Sequence, residues 1–321
     1  MPQNDLPNIA ATTQSRLSGA PRALDAAEVL AAWRAGKKPI TMDSYARDLA
    51  DFAAWCRETP AGAAAKFLAL DAGMANGAAL GYLEHLRERG LASATVNRRI
   101  AALRSLVKAA RLIGMVNWNL ELPTPKVTPY RDTRGPGRGG FMRLVRKADA
   151  SPEPRRSRDL ALLWLMYGRA LRRSEAAGIA LPDDLDLAGE RVRIRGKHRD
   201  EPEWVTIPPA ACRAVADWLL VRGSEPGPLF YRLDFAANTL DRRPLTGRGI
   251  QWVVGNLGDA AGIRARPHGL RHAGITEVLD VTKGDHRAAQ KFGRLKTANV
   301  LAYYDDNRED KGGEAAKLIA P

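Results

Sequence analysis

The chain has 321 residues, 45% of them hydrophobic, enough apolar material for two ordinary domains with real cores. Its 50 Lys and Arg outnumber 36 Asp and Glu, and the resulting formal charge of +14 favours a polyanionic partner such as nucleic acid. No apolar run approaches the roughly 18 residues of a membrane helix, and the polar start MPQNDLPNIAATTQSRLSG lacks a signal-peptide core, so a cytoplasmic address without membrane contact is expected.

Residues 1–21 read as a flexible tail, and the chain from there to about residue 125 reads as helices. In TMDSYARDLADFAAWCRE, the apolar Tyr45, Leu49, Phe52 and Trp55 recur at helical spacing, with Thr41 and Asp43 as the N-cap candidates. The stretch NGAALGYLEHLRERG follows, and Gly90 suits its C-terminal stop. SATVNRRIAALRSLVKAARLIG then places Val96, Ile100, Leu103, Leu106 and Val107 on one stripe. Arg98, Arg99, Arg104, Lys108 and Arg111 are left to its other faces; solvated surface is the ordinary reading, but five positives without an acid lean toward DNA phosphate.

Both periodicities fail in LPTPKVTPYRDTRGPGRGG, which reads as a linker, with 126–140 as its firm extent. Its glycines lack the Gly-Lys-Ser/Thr ending of a phosphate-cradling loop. Beyond it, FMRLVRKAD and SRDLALLWLMYGRALRRSEAAGI are expected as helical. RVRIRGKHRDEPEWVTIP changes period to two, predicting a β-hairpin with Lys197 near its tip. Helical patterns resume over 209–221, 247–261, 267–280 and about 285–304. The expected class is therefore mainly α with a small antiparallel sheet, in two domains. Cys56 and Cys212 match no redox or metal spacing, and the five histidines form no zinc signature, so no metal and no cofactor are expected.

Four signals lie in order along the second half: Leu-Arg-x-x-Glu with Arg172 and Glu175; Gly-Lys with Lys197; His-x-Leu-Arg-His with His268, Arg271 and His272; and the pair Tyr303-Tyr304. Behind SYARDLADFAAWC and SATVNRRIAALRSLVKAA, this ensemble resembles the tyrosine recombinase, or phage integrase, family over nearly the whole chain. The resemblance implies an N-terminal helical SAM-like core-binding domain over 22–125 and a catalytic domain over 141–310. A tail at 311–321 could dock on a neighbouring protomer through Leu318 and Ile319. It further implies double-stranded DNA as substrate, a homo-tetramer on paired sites, and a 3′-phosphotyrosyl intermediate formed without ATP or a divalent metal. Rival expectations are relaxation of type IB topoisomerase kind, or a DNA-binding factor on a weakened scaffold.

On that reading Arg172 and Arg271 grip the non-bridging oxygens, His268 donates to them or accepts the phenol proton, and Lys197 protonates the departing 5′ oxygen. Glu175 orients Arg172, and His272 supplies a supporting hydrogen bond. Each has a bland alternative: a surface arginine, a solvated turn lysine shared with His198 and Arg199, or core histidines.

Two departures from the family stand out. Ala170 replaces the usual Gly before Leu-Arg, and the usual later His or Trp is missing, with Arg294 and Leu295 at its place. Arg294 there would retain a phosphate donor; Leu295 would lose it. Nine positions separate Arg294 from Tyr303 and Leu295 from Tyr304. Successive helix positions differ by about 100°, so one tyrosine attacks while the other packs. Tyr304, followed by Asp-Asp-Asn-Arg, is the preferred nucleophile, with Tyr303 as the alternative.

Overall fold

The computed structural model describes residues 26–35, 37–123, 135–196, 201–234 and 239–297, together with Ala237, Leu301, Tyr304 and Lys317. Lys197, Tyr303, the expected N-terminal tail, most of the expected linker and nearly all of the C-terminal tail lie outside the described residues. The chain divides into two compact units between Pro129 and Tyr130.

The first unit is helical: α1 (Ala26–Arg34), α2 (Pro39–Trp55), α3 (Pro60–Leu68), α4 (Ala72–Glu88) and α5 (Ser93–Leu112). Neither Thr41 nor Asp43 caps α2; Pro39 at the first helical turn fixes an earlier start, since its missing N–H is one the helix could not satisfy anyway. Helix α4 likewise begins before the expected Asn76, because the Asp71 side chain accepts from the Met74 amide at 2.8 Å. The α5 stripe Val96, Ile100, Leu103, Leu106 and Val107 is buried among Trp33, Phe52, Tyr82 and Leu86.

The cations of α5 are largely answered by this unit's own acceptors. Arg98 pairs with Asp48 at 2.5 Å, and Arg99 donates to Asp51 at 2.7 Å beside the Tyr82 hydroxyl, which reaches the same carboxylate at 2.7 Å. Arg104 donates to the Leu122 carbonyl at 2.6 Å, Arg111 to Asn119, and Lys108 is exposed. Arg99 and Arg104 thus tie this unit together locally.

The second unit contains α6 (Gly137–Asp149), α7 (Arg155–Gly168), α8 (Arg173–Ala177), α9 (Pro209–Arg222), α10 (Gly247–Ala260), α11 (Pro267–Val281) and α12 (His286–Gly293). Three small antiparallel sheets accompany them: β1 (Ala180–Leu181) with β5 (Gly227–Pro228), β2 (Leu185–Asp186) with β3 (Arg191–Ile194) and β4 (Glu203–Thr206), and β6 (Tyr231–Asp234) with β7 (Thr239–Pro244). The expected hairpin is β3–β4, with Ile194 opposite Glu203 at the end nearest Lys197. Among the described residues, no helix is long and apolar enough to cross a membrane.

Two expected helices are interrupted. The α7 pattern does not run through to Ile179 but stops at Gly168, and the 285–304 pattern stops at Gly293. Helices α7 and α11 meet with almost no gap: a Cβ on Gly274 would lie 2.2 Å from the Tyr167 carbonyl oxygen. Gly274→Ala is therefore expected to destabilise the unit by about 1–3 kcal/mol, or to displace α11, with the loss read from thermal or urea melting.

Candidate active site

Where α7 ends, Arg169 leaves the helix and Ala170 takes φ +50°, the left-handed region that an L-residue adopts reluctantly. This accounts for a glycine being usual at the position. Ala170 and Leu171 are fully buried, and Arg172 turns extended as the N-cap of α8. Glu175, one turn on, returns its carboxylate to the Arg172 amide at 2.7 Å and to its Nη1 at 2.6 Å. Arg172 keeps about a third of its side chain open to solvent, whereas Glu175 is buried.

Helix α11 brings the second group. Pro267 starts it, so His268, Arg271 and His272 share one face, as their spacing predicts. Arg271 is 1% exposed, and its fork donates to two backbone carbonyls, Ala170 and Gly293. Burial lowers its guanidinium to about 10, aided by the charge of Arg172 and opposed by the Tyr304 phenol beside it. His268 keeps an exposed face, while burial of the rest of its ring, then the charges of Arg271, His272 and Arg172, lower it below the usual imidazole value.

Tyr304 is buried against this same helix. Thr276 Oγ1 donates to its backbone carbonyl at 2.9 Å and lies 3.4 Å from His272 Nδ1. The His272 and Tyr304 rings stand 4.9 Å apart, centre to centre. Thr276 is a site residue that the motif alone does not reveal. Its signal is positional: it stands one turn after His272 on the same helical face.

The third element is the end of α12. Arg294 caps the helix in the left-handed conformation, φ +50° and ψ +46°, with its side chain 6% exposed. Its Nη1 donates to the Arg169 carbonyl at 3.0 Å; its Nη2 donates to Ala170 at 3.2 Å and to Glu175 Oε2 at 2.6 Å. Its Nε lies 3.7 Å from Glu203 of β4. Arg169 answers by donating to the Phe292 carbonyl at 2.5 Å, its guanidinium over the Phe292 ring. Arg169 was not among the sequence candidates; in the dense run GRALRR nothing local separates it from surface arginines.

Burial opposes ionisation of Glu175, but Arg294 and the bonds from Arg172 hold its carboxyl below the usual range. One carboxylate thus faces several guanidinium groups, and the surplus of positive charge suits an incoming phosphate. Arg172, Glu175, His268, Arg271, His272, Arg294 and Tyr304 are gathered at one place. Lys197, outside the described residues, falls in sequence between β3 and β4, and Glu203, the first residue of β4, lies beside Arg294.

Comparison with known proteins places this geometry. Residues 141–310 match the Phage integrase family, and residues 34–112 match the phage integrase N-terminal SAM-like domain. Over 292 residues the chain is 34% identical to a tyrosine recombinase of Synechocystis sp., spanning 88% of this chain and 91% of that one. Over 296 residues it is 35% identical to a tyrosine recombinase of Synechococcus elongatus, spanning 88% and 90%. The fold is shared with the Tn1549 transposon integrase solved with transposon right end DNA, at TM-score 0.65 and 15% identity over 93% of this chain and all of that one. A lambda integrase dimer bound to a core site shares it as well, at TM-score 0.61 and 14% identity over 94% and 86%. The catalytic-domain match spans more than half of the chain, and the likeness to the two relatives runs along most of its length: the chain belongs to the phage integrase family, the tyrosine recombinases.

Proposed function

We propose that this recombinase cuts and rejoins duplex DNA through a 3′-phosphotyrosyl bond to Tyr304, acting as a homo-tetramer on paired sites of a mobile element. The gathering of Arg172, Arg271, His268 and Tyr304 from separate segments carries the reading. The Tyr304 phenol oxygen attacks phosphorus, and the bond from phosphorus to the 5′ oxygen breaks. His268 takes the phenol proton, and Lys197 gives one to the departing oxygen. Arg172 and Arg271 offset the charge gathering on the non-bridging oxygens. One phosphodiester replaces another, so bond energy is kept for rejoining and no energy-supplying nucleotide enters the balance. Arg98, Lys108 and Arg111 of the first unit are the exposed α5 cations, placed to meet backbone phosphates. A cytoplasmic, DNA-associated address accompanies this reading.

The test is a suicide substrate whose cleaved 5′ fragment diffuses away, with its covalent adduct followed against pH. Burial and neighbouring positive charge disfavour the His268 imidazolium, so the proton-accepting form persists into mild acid. The acid limb of the cleavage rate is expected below pH 6.5, the ordinary imidazole value. The same sign makes the folded state bind protons less readily than the unfolded chain, so stability declines as pH falls through that value. Binding without an adduct would leave only a DNA-binding role; an acid limb above pH 6.5 would remove His268 as the base.

A further inference from the structure

The geometry points to Arg294 as a positioning residue that acts on the phosphate through Glu175 and Arg172, and not as a phosphate donor itself; this rests on the strand-transfer reading above. Its bonds account for the assignment. Nη1 donates to the Arg169 carbonyl, and Nη2 donates to the Ala170 carbonyl and to Glu175, so both amino groups of the fork turn inward. Nε is enclosed and faces Glu203 at 3.7 Å. With its side chain 6% exposed, the guanidinium is closed to a ligand arriving from solvent, whereas Arg172 is about a third open.

Glu175 is the hinge of the relay. One oxygen meets Arg294 and the Arg172 amide; the other meets the Arg172 guanidinium. The charge of Arg294 is the largest single support for that buried carboxylate, joined by the amide, charge and side-chain bond of Arg172, against a burial effect larger than any one of them. Without Arg294, burial would meet less opposition and the neutral acid would gain ground, and a neutral carboxyl holds an arginine fork less firmly than a carboxylate does. Arg172 would then lose the anchor that fixes its fork before DNA arrives, and preorganised donors stabilise a transition state best. The same guanidinium pins the carbonyls of Arg169 and Ala170, and so the turn leading into Arg172.

A double-mutant cycle tests this on the full-length protein with the suicide substrate. Arg294→Met keeps the side-chain volume and removes every donor. It is expected to slow adduct formation about 10–100-fold while changing DNA affinity less than about threefold. In an Arg172→Ala background the same change is expected to slow it by less than about threefold, because the relay has no end left to position. Arg294→Lys, which retains a charge against Glu175, is expected to recover at least about half of the lost rate on a logarithmic scale. If Arg294→Met does not fold, the cycle is run with Arg294→Lys and the same non-additivity is expected. Equal losses in the two backgrounds, or a lysine variant no better than methionine, would overturn the relay. An unsubstituted protein that forms no adduct would instead sink the underlying strand-transfer reading.

Discussion

Tyr304→Phe is expected to abolish the covalent protein–DNA adduct, with a loss on the order of a thousandfold or more, and to leave folding and DNA affinity almost untouched. The substitution is clean for a structural reason. Thr276 holds Tyr304 by its backbone carbonyl, and the ring packs against His272 and the cluster of Ile275, Leu279 and Leu301. Phenylalanine keeps those contacts and removes only the hydroxyl. Loss of the proposed nucleophile removes the attacking oxygen itself, while the packing that holds the ring stays in place. Tyr303→Phe, by contrast, is expected to leave the adduct intact. The measurements are a denaturing gel of the suicide-substrate reaction, DNA affinity and melting. An adduct that survives in Tyr304→Phe and vanishes in Tyr303→Phe would move the nucleophile by one residue.

Arg271→Met is expected to fail on both counts, folding and chemistry. Its fork spans the carbonyls of Ala170 and Gly293 in a place almost closed to water. Methionine fills much of the volume but strips the Gly293 carbonyl of its donor, at about 1–3 kcal/mol for a buried acceptor left unpaired, and leaves the Ala170 carbonyl to Arg294 alone. Melting should therefore shift clearly downward. Cleavage should fall by at least about a hundredfold, since a charge beside the proposed nucleophile is lost as well. Arg271→Lys separates the two effects: a point charge remains, but one ammonium does not reproduce a planar fork between two carbonyls. Its melting should lie between those of the parent and of Arg271→Met, with cleavage still strongly reduced. Unchanged melting in Arg271→Met would contradict the bridging role.

Residues whose placement depends on one helix are legible in the sequence. His268, Arg271 and His272 stand at helical spacing after a proline, and α11 displays them together. The buried stripe of α5 is legible for the same reason. What escapes a linear reading depends on partners far along the chain. Nothing local in GRALRR demands a break beyond Gly168; the break is held by donors from Arg271 and Arg294 to carbonyls that an uninterrupted helix would have used internally. The end of α12 at Gly293 is held reciprocally, by Arg271 and Arg169. Periodicity likewise leaves Arg98 and Arg99 on a free basic face, because the acids that claim them, Asp48 and Asp51, belong to another helix. Arg294 is the sharpest case: its place in the motif suggests a ligand donor, and its contacts point inward.

The Ala170 carbonyl has a consequence for the order in which this enzyme comes into being. That single oxygen receives donors from residues 101 and 124 positions later in the chain, and closing such long loops is entropically slow compared with forming the helices themselves. The candidate centre is therefore expected among the last features of its unit to assemble. A chain still emerging from the ribosome would lack that centre until the α12 segment had arrived and the final pair of arginines had closed upon one backbone oxygen.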